Sequence, residues 1–212
     1  VRALADPSTG SGQGFPDARA AMTRGAQWLI ATEGLRYTDA DAREQTRKTL
    51  NIDSALRGFP WQPGDASWVH PTALAMLALD AAGQGSHPRV RDGVEYLRDR
   101  AVASGGWNVG NPWMLGKPLP ATIQDTAIAL LALRAVNESA EDERIARAIP
   151  FLRDAATRVQ TPAELAWAIV ALRDWGFEIG DAASRLIALQ NADGSWQGNP
   201  FITAIALIAS QK

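Results

Sequence analysis

The sequence contains no cysteine and only two histidines, His70 and His87, among its 212 residues. Without cysteine the chain can form no disulfide, offers no thiolate nucleophile and cannot build a Cys-based zinc site. Basic residues do not cluster, because arginine is mixed with aspartate and glutamate throughout and the net charge is −2. Nucleic acid is therefore not an expected partner, since phosphate binding needs a concentrated basic surface.

Apolar runs are also short. The longest spans about nine residues around positions 72–79, well below the roughly 20 that a membrane-spanning helix needs. We therefore expect no transmembrane segment and a soluble protein, either cytoplasmic or secreted. A Gly-rich strand-to-helix turn is missing as well, so no nucleotide, flavin or other cofactor is predicted.

What the sequence does have is an internal repeat of apolar residues, which make up 46% of the chain. Four octets rich in Ala and Leu begin at Thr72, Thr126, Leu165 and Thr203, and their starts lie 54, 39 and 38 residues apart. They are apolar on every side, which predicts helices enclosed by other helices. We name these segments the inner helices: residues 72–79, 126–133, 165–172 and 203–210.

An amphipathic stretch precedes each inner helix and predicts an outer helix. The outer helices begin near Asp17, Pro88, Glu141 and Gly180. A repeat of this size is typical of stacked helical hairpins, none of which buries its apolar face alone. The predicted fold is therefore all-α and without strands, with a flexible lead-in at 1–15 and a single domain at 16–212 that carries a polar insertion around 36–57.

Residues 190–196 read Gln-Asn-Ala-Asp-Gly-Ser-Trp and have the form Gln-x-x-x-Gly-x-Trp. This pattern resembles the QW motif of squalene and oxidosqualene cyclases. Degenerate copies recur at 58–61 and 105–107, whereas the third copy has Ala156 in place of Gln and no Gly-x-Trp. The resemblance to squalene–hopene cyclases and protein prenyltransferases covers about residues 16–212. It implies an α/α toroid, here with about four hairpins where the family has about six.

The same resemblance bears on catalysis. Squalene–hopene cyclases carry an Asp-x-Asp-Asp-Thr-Ala motif at the start of an inner helix, and its middle Asp protonates the substrate. Here residues 122–127 read Thr-Ile-Gln-Asp-Thr-Ala, so Gln124 stands at the place of the proton donor and only Asp125 remains. An amide has no proton of useful acidity, which indicates a non-catalytic protein. Zinc-dependent prenyl transfer is excluded, because its Asp, Cys and His ligand set needs a cysteine.

Side chains at the N-terminal ends of the inner helices are the candidates for chemistry, because helix dipoles converge there. His70, Asp125 and Glu164 are the candidate catalytic residues, and two carboxylates with an imidazole suit an acid–base group or a metal. We assign no metal to them. Each also suits a helix cap: Thr161 and Glu164 form a capping box, Thr122 and Asp125 repeat it, and His70 stands where an N-cap is expected.

Large aromatic side chains surround the same helix ends and predict a binding surface for an apolar or isoprenoid ligand. Simple packing of loops is the alternative interpretation. The candidate binding residues are Trp61, Trp68, Trp113, Gln124, Trp167 and Phe201.

Three functions are open at this point. The first is a non-catalytic module that binds a lipid-like ligand or a partner protein, and the missing acid favours it. The second is a divergent terpenoid cyclase-like enzyme with Asp125 as acid, assisted by Glu164 or His70. The third is a carbohydrate-active enzyme, for which the Asp125 and Glu164 carboxylates would have to lie roughly 5 to 9.5 Å apart. Four hairpins instead of six leave an apolar flank, and we expect a homodimer to cover it.

Overall fold

The computed structural model describes residues 16–211, and the predicted lead-in at 1–15 lies outside the described residues. The described chain is all-α apart from two very short sheets, which confirms the predicted fold class. No helix within it is long and apolar enough to cross a membrane. The helices are α1 (Pro16–Ala31), α2 (Ala40–Leu50), α3 (Val69–Ala81), α4 (Pro88–Asp99), α5 (Ile123–Ala135), α6 (Glu143–Arg158), α7 (Pro162–Asp174), α8 (Ala182–Ala188) and α9 (Pro200–Ser210). The strands are β1 (Phe59–Pro60), β2 (Ser67–Trp68), β3 (Trp113–Met114) and β4 (Lys117–Pro118).

The inner helices correspond to α3, α5, α7 and α9, and they form one row in chain order. Each contacts the next: α3 packs on α5, α5 on α7 and α7 on α9. The outer helices form a second layer, in which α1 and α4 contact α3, α6 contacts both α5 and α7, and α8 contacts both α7 and α9. The octets of α5 and α7 are therefore enclosed between neighbours, as their all-sided apolar sequence predicts, whereas α3 and α9 each have one inner neighbour.

A threonine and an aromatic residue form the joint that leads into an inner helix. Thr126 Oγ1 accepts the backbone N–H of Trp107 at 2.9 Å and donates to its carbonyl at 3.1 Å. The indole N–H of Trp107 donates to the Leu97 carbonyl in the last turn of α4 at 2.7 Å. Trp196 repeats the arrangement with Thr203 and with a carbonyl of α8. The Gly-x-Trp part of the motif thus satisfies carbonyls that the end of an outer helix leaves unpaired.

The first and third joints differ from this scheme. In the first, Phe59 rather than Trp61 holds the buried place, because the Phe59 N–H donates to Thr72 Oγ1 at 2.8 Å. In the third, Leu165 stands at the threonine position and the connection 159–161 contains no aromatic residue. Trp61 is therefore free of the joint and 60% exposed.

Two short hairpins contradict the prediction that the chain has no strand. β1 pairs antiparallel with β2, with Phe59 opposite Trp68, and β3 pairs antiparallel with β4. Strands of two residues carry no alternating pattern, so the sequence offers no signal for them. The first hairpin runs directly into α3, since Trp68 is the N-cap residue of that helix.

The insertion contains α2, which ion pairs and hydrogen bonds fix in place. Arg43 donates twice to the Asp53 carboxylate, at 3.2 and 2.9 Å, and the Asp53 N–H donates to the Asp99 carboxylate at the end of α4. Partial burial raises the pKa of Asp53, but the N–H of Ala55 and the Arg43 guanidinium outweigh it, so the net shift of that pKa is downward.

Arginine side chains connect the ends of neighbouring inner helices. Arg134 of α5 donates to the Asp174 carbonyl at the end of α7, at 3.3 Å. Arg173 of α7 donates to the Ala209 carbonyl near the end of α9, at 2.6 Å. Since the last carbonyls of a helix have no intrahelical partner, α5 and α7 each supply a donor that the following inner helix needs, whereas α3 has Asp80 at the equivalent position.

The outer layer uses arginine in the opposite direction. Arg144 of α6 donates to the Arg98 carbonyl in the last turn of α4, at 2.8 Å. Arg185 of α8 donates to the Ala156 and Val159 carbonyls at the end of α6, at 2.7 and 2.5 Å. Here an arginine of the following outer helix donates to the last carbonyls of the preceding outer helix.

Candidate functional site

A cleft of about 750 Å³ lies at the N-terminal ends of α3, α5 and α7. His70 belongs to the first turn of α3, Gln124 and Asp125 to that of α5, and Glu164 to that of α7. These residues are distant in sequence, but their helices pack side by side in the inner row, so their first turns meet. The lining consists of Trp61, Trp68, His70, Val109, Thr122, Gln124, Asp125 and Glu164.

One side of the cleft is aromatic. Trp61 lies in the turn between β1 and β2, and its indole stacks on the imidazole of His70, with ring centroids 5.6 Å apart and planes inclined by 28°. Trp68 follows in β2 and is half-buried. Flat aromatic faces of this kind suit an apolar or ring-shaped ligand.

Asp125 is the most buried polar residue of the cleft, with 7% of its surface exposed. Its Oδ2 accepts from the Thr122 hydroxyl at 2.8 Å, and its Oδ1 lies 3.5 Å from Nδ1 of His70. The Thr122 hydroxyl also accepts the backbone N–H of Asp125 at 3.3 Å. Asp125 therefore takes part in the start of α5 and at the same time faces the cleft.

The capping interpretation is wrong for His70 and only partly right for Glu164. The N-cap residue of α3 is Trp68, so His70 lies within the helix and its imidazole faces the cleft. At α7 the hydroxyl of the N-cap residue Thr161 donates to the Glu164 carboxylate, and no side-chain bond to the helix backbone forms there. Both side chains are thus available to a ligand.

The polar part of the cleft is acidic. Asp125 and Glu164 contribute two carboxyl groups, and no lysine or arginine is among the lining residues. Within residues 16–211, no group of three or more His, Cys, Asp or Glu side chains could hold a metal ion. The two carboxyl groups offer hydrogen-bond acceptors to a ligand in the cleft.

Three of the predicted binding residues lie outside the lining. Trp113 belongs to β3 and is half-buried. Trp167 of α7 is buried, and its ring lies 6.4 Å from that of Phe201 on α9. Trp167 and Phe201 thus form a separate aromatic pair further along the inner row.

Thr122 and Val109 line the cleft, although neither was among the predicted site residues. Thr122 could have been found from its place three residues before Asp125, which is the spacing of a cap. Val109 lies in the loop before β3, and its carbonyl accepts the N–H of Val69 at 3.0 Å. Because Val69 and Val109 lie far apart in the sequence, the residues around Val109 do not indicate this contact.

No protein-family model matches the chain, and no curated protein matches it.

Proposed function

We propose that the protein is a non-catalytic binding module of α/α-toroid type, similar to the squalene–hopene cyclases, that takes an isoprenoid or lipid-like ligand into the cleft. The observation that carries the proposal is the exposed Trp61 indole, stacked on His70 at a cleft of about 750 Å³. An open indole face beside a cavity of that size offers apolar surface that a ligand can cover.

Gln124 supports a binding function without cyclisation. It lines the cleft in the first turn of α5, at the place where the resemblance puts the proton donor. An amide there can orient a ligand through hydrogen bonds, but it cannot act as an acid.

Binding of geranylgeraniol, measured by native mass spectrometry, tests the proposal. The wild type is expected to retain the alcohol at unchanged mass, and Trp61→Ala to bind it about tenfold more weakly, because burial of about 55 Å² of apolar surface against the indole, at about 25 cal/mol per Å², corresponds to that factor. Trp28→Ala is the matched control, since Trp28 is 58% exposed and lines a separate cleft at the end of α1.

Equal weakening by Trp61→Ala and Trp28→Ala would contradict a role for this cleft. If the wild type retained neither geranylgeraniol nor squalene, a surface for a partner protein would be the better interpretation of the exposed aromatic residues.

The geometry of Asp125 favours a second candidate, a divergent terpenoid cyclase-like enzyme. Its carboxyl group is buried at the cleft and lies 3.5 Å from Nδ1 of His70, so the two side chains can act as an acid–base pair. Incubation with squalene, followed by analysis of the extracted lipid, separates the two candidates. A product of altered structure that the wild type forms and Asp125→Asn does not would make the protein an enzyme.

A further inference from the structure

The last inner helix, α9, exposes apolar residues at positions that the preceding inner helices bury. Leu207 is 53% exposed, whereas its equivalents are 0% exposed; these are Met76, Leu130 and Ile169. Ala204 is exposed too, whereas its equivalents are again 0% exposed; these are Ala73, Ala127 and Ala166. We name Ala204 and Leu207 the tail face.

The first inner helix, α3, shows the reverse contrast at other positions. Leu74 is 42% exposed, whereas its equivalents are almost fully buried: Ile128 at 0%, Trp167 at 8% and Ile205 at 7%. Ala78 is half-buried, whereas its equivalents are 0% exposed; these are Ala132, Ala171 and Ala209. We name Leu74 and Ala78 the head face.

The two faces lie on opposite sides of an inner helix. Leu74 is the third residue of its octet and Leu207 the fifth of its own, and two steps of an α-helix turn through roughly 200°. Among the described helices, α3 has no inner helix before it and α9 has none after it. The head position is therefore the one that meets the preceding inner helix, and the tail position meets the following one.

We propose that copies of this chain associate head to tail, with the tail face of one copy on the head face of the next. The occupant is a second copy because the contact continues an interface that the chain already makes three times, between α3 and α5, α5 and α7, and α7 and α9. At each of these joints a surface of the head type covers the tail position. Neither face contains a charged residue, so no unpaired charge is buried.

The two faces differ, so the contact is heterologous: every copy has one face of each kind, and each contact uses one tail face and one head face. A symmetric dimer would instead pair two identical faces, so variants that block one face at a time distinguish the two arrangements. Leu207→Asp blocks every tail and Leu74→Asp blocks every head, so each variant alone should stay monomeric. An equimolar mixture still pairs the intact tail of one variant with the intact head of the other, and it should stop at a dimer.

Sedimentation velocity of the full chain measures these masses. The wild type is expected to exceed its 22.7 kDa monomer mass as its concentration rises, and each aspartate variant to associate about a hundredfold more weakly, because it places a charge in an apolar contact. Leu115→Asp is the control that keeps wild-type association, since Leu115 is 85% exposed in the turn between β3 and β4. Circular dichroism checks the fold, and Ala204→Glu and Ala78→Glu replace any aspartate variant that loses helix.

Three results would overturn the proposal. The first is a wild type that stays monomeric up to about 1 mM, which corresponds to a binding free energy weaker than about −4 kcal/mol. The second is a mixture of the two variants that stays monomeric. The third is loss of association in Leu207→Asp but not in Leu74→Asp, which would indicate a symmetric tail-to-tail dimer.

Discussion

The hydroxyl of Thr126 serves both backbone groups of Trp107 inside the core, where both residues are fully buried. Thr126→Val keeps the shape of the side chain but leaves the Trp107 N–H without an acceptor, so the free energy of unfolding should fall by about 1 to 3 kcal/mol. Urea unfolding measures the loss. Thr49→Val is the control, since Thr49 is exposed and its hydroxyl bonds only within α2; we expect its change to stay within about 0.5 kcal/mol. Equal losses in the two variants would contradict the role of the joint.

At the residue scale, the sequence predicted where the joints lie, but it did not predict which aromatic residue is buried in the first one. The Gly-x-Trp copies identify Trp107 and Trp196 as residues of the joints, and both are buried there. The first joint uses Phe59 instead of Trp61, because its register depends on the pairing of β1 with β2 and on the hydroxyl of Thr72. The cap assigned to His70 failed for the same reason, since pairing in β2 makes Trp68 the first residue outside α3.

At the element scale, the insertion gives a pH-dependent contribution to stability. Because the pKa of Asp53 is lowered in the folded chain, folding gains stability from this carboxylate above the unfolded value of about 4 and loses it as the pH falls through the folded value. Asp53→Asn keeps an acceptor for the Ala55 N–H but loses the pair with Arg43.

Urea unfolding of the wild type and Asp53→Asn between pH 3 and pH 7 tests this contribution. The pair is partly exposed, with 47% and 34% of the two side chains open, so solvent screening limits the expected difference at pH 7 to about 0.2 to 1 kcal/mol in favour of the wild type. The difference should shrink below about pH 4 and also in about 1 M salt. A difference that does not depend on pH would show that the charge of Asp53 is unimportant.

The long elements were predictable because their signal is local and repeated. Alanine-rich octets that are apolar on all sides predict packed helices, and α3, α5, α7 and α9 contain all four, although Leu207 and Ile208 of α9 are exposed. The outer helices α1, α4, α6 and α8 begin within two residues of their predicted starts. The two-residue strands were missed because two residues are too few to show an alternating pattern, although their partners lie only a few residues away.

At the scale of the whole molecule, head-to-tail association would make thermal stability depend on protein concentration. Above the dissociation constant, a tenfold rise in concentration adds about 1.4 kcal/mol to the folded state by mass action. For a chain of this length that corresponds to a rise in Tm of about 3 to 5 °C. Calorimetry at three concentrations should show this rise for the wild type and a constant Tm for Leu207→Asp. The same rise in both proteins would count against the tail face.

The cleft was predictable to the extent that it follows from the order of the inner helices. Equivalent first turns in a row of packed helices meet at one end, which brings His70, Gln124, Asp125 and Glu164 together. Trp113 was misplaced because it lies in an unpredicted hairpin, and Phe201 because α9 lies one helix further along the row than α7. Closure into a toroid and the identity of the ligand stay predictions.

The arginine contacts between neighbouring hairpins have a consequence for the nascent chain. As synthesis proceeds from the N-terminus, α4 emerges before the Arg144 that completes its last turn, and α6 emerges before Arg185. The carbonyls of the newest outer helix must therefore be hydrated until the next hairpin leaves the ribosome. For the inner helices the order is reversed, because Arg173, the donor for the end of α9, is synthesised before that helix. A chain made only as far as α7 thus has its donor for the end of α7, Arg134, but lacks the donor for the end of α6, Arg185.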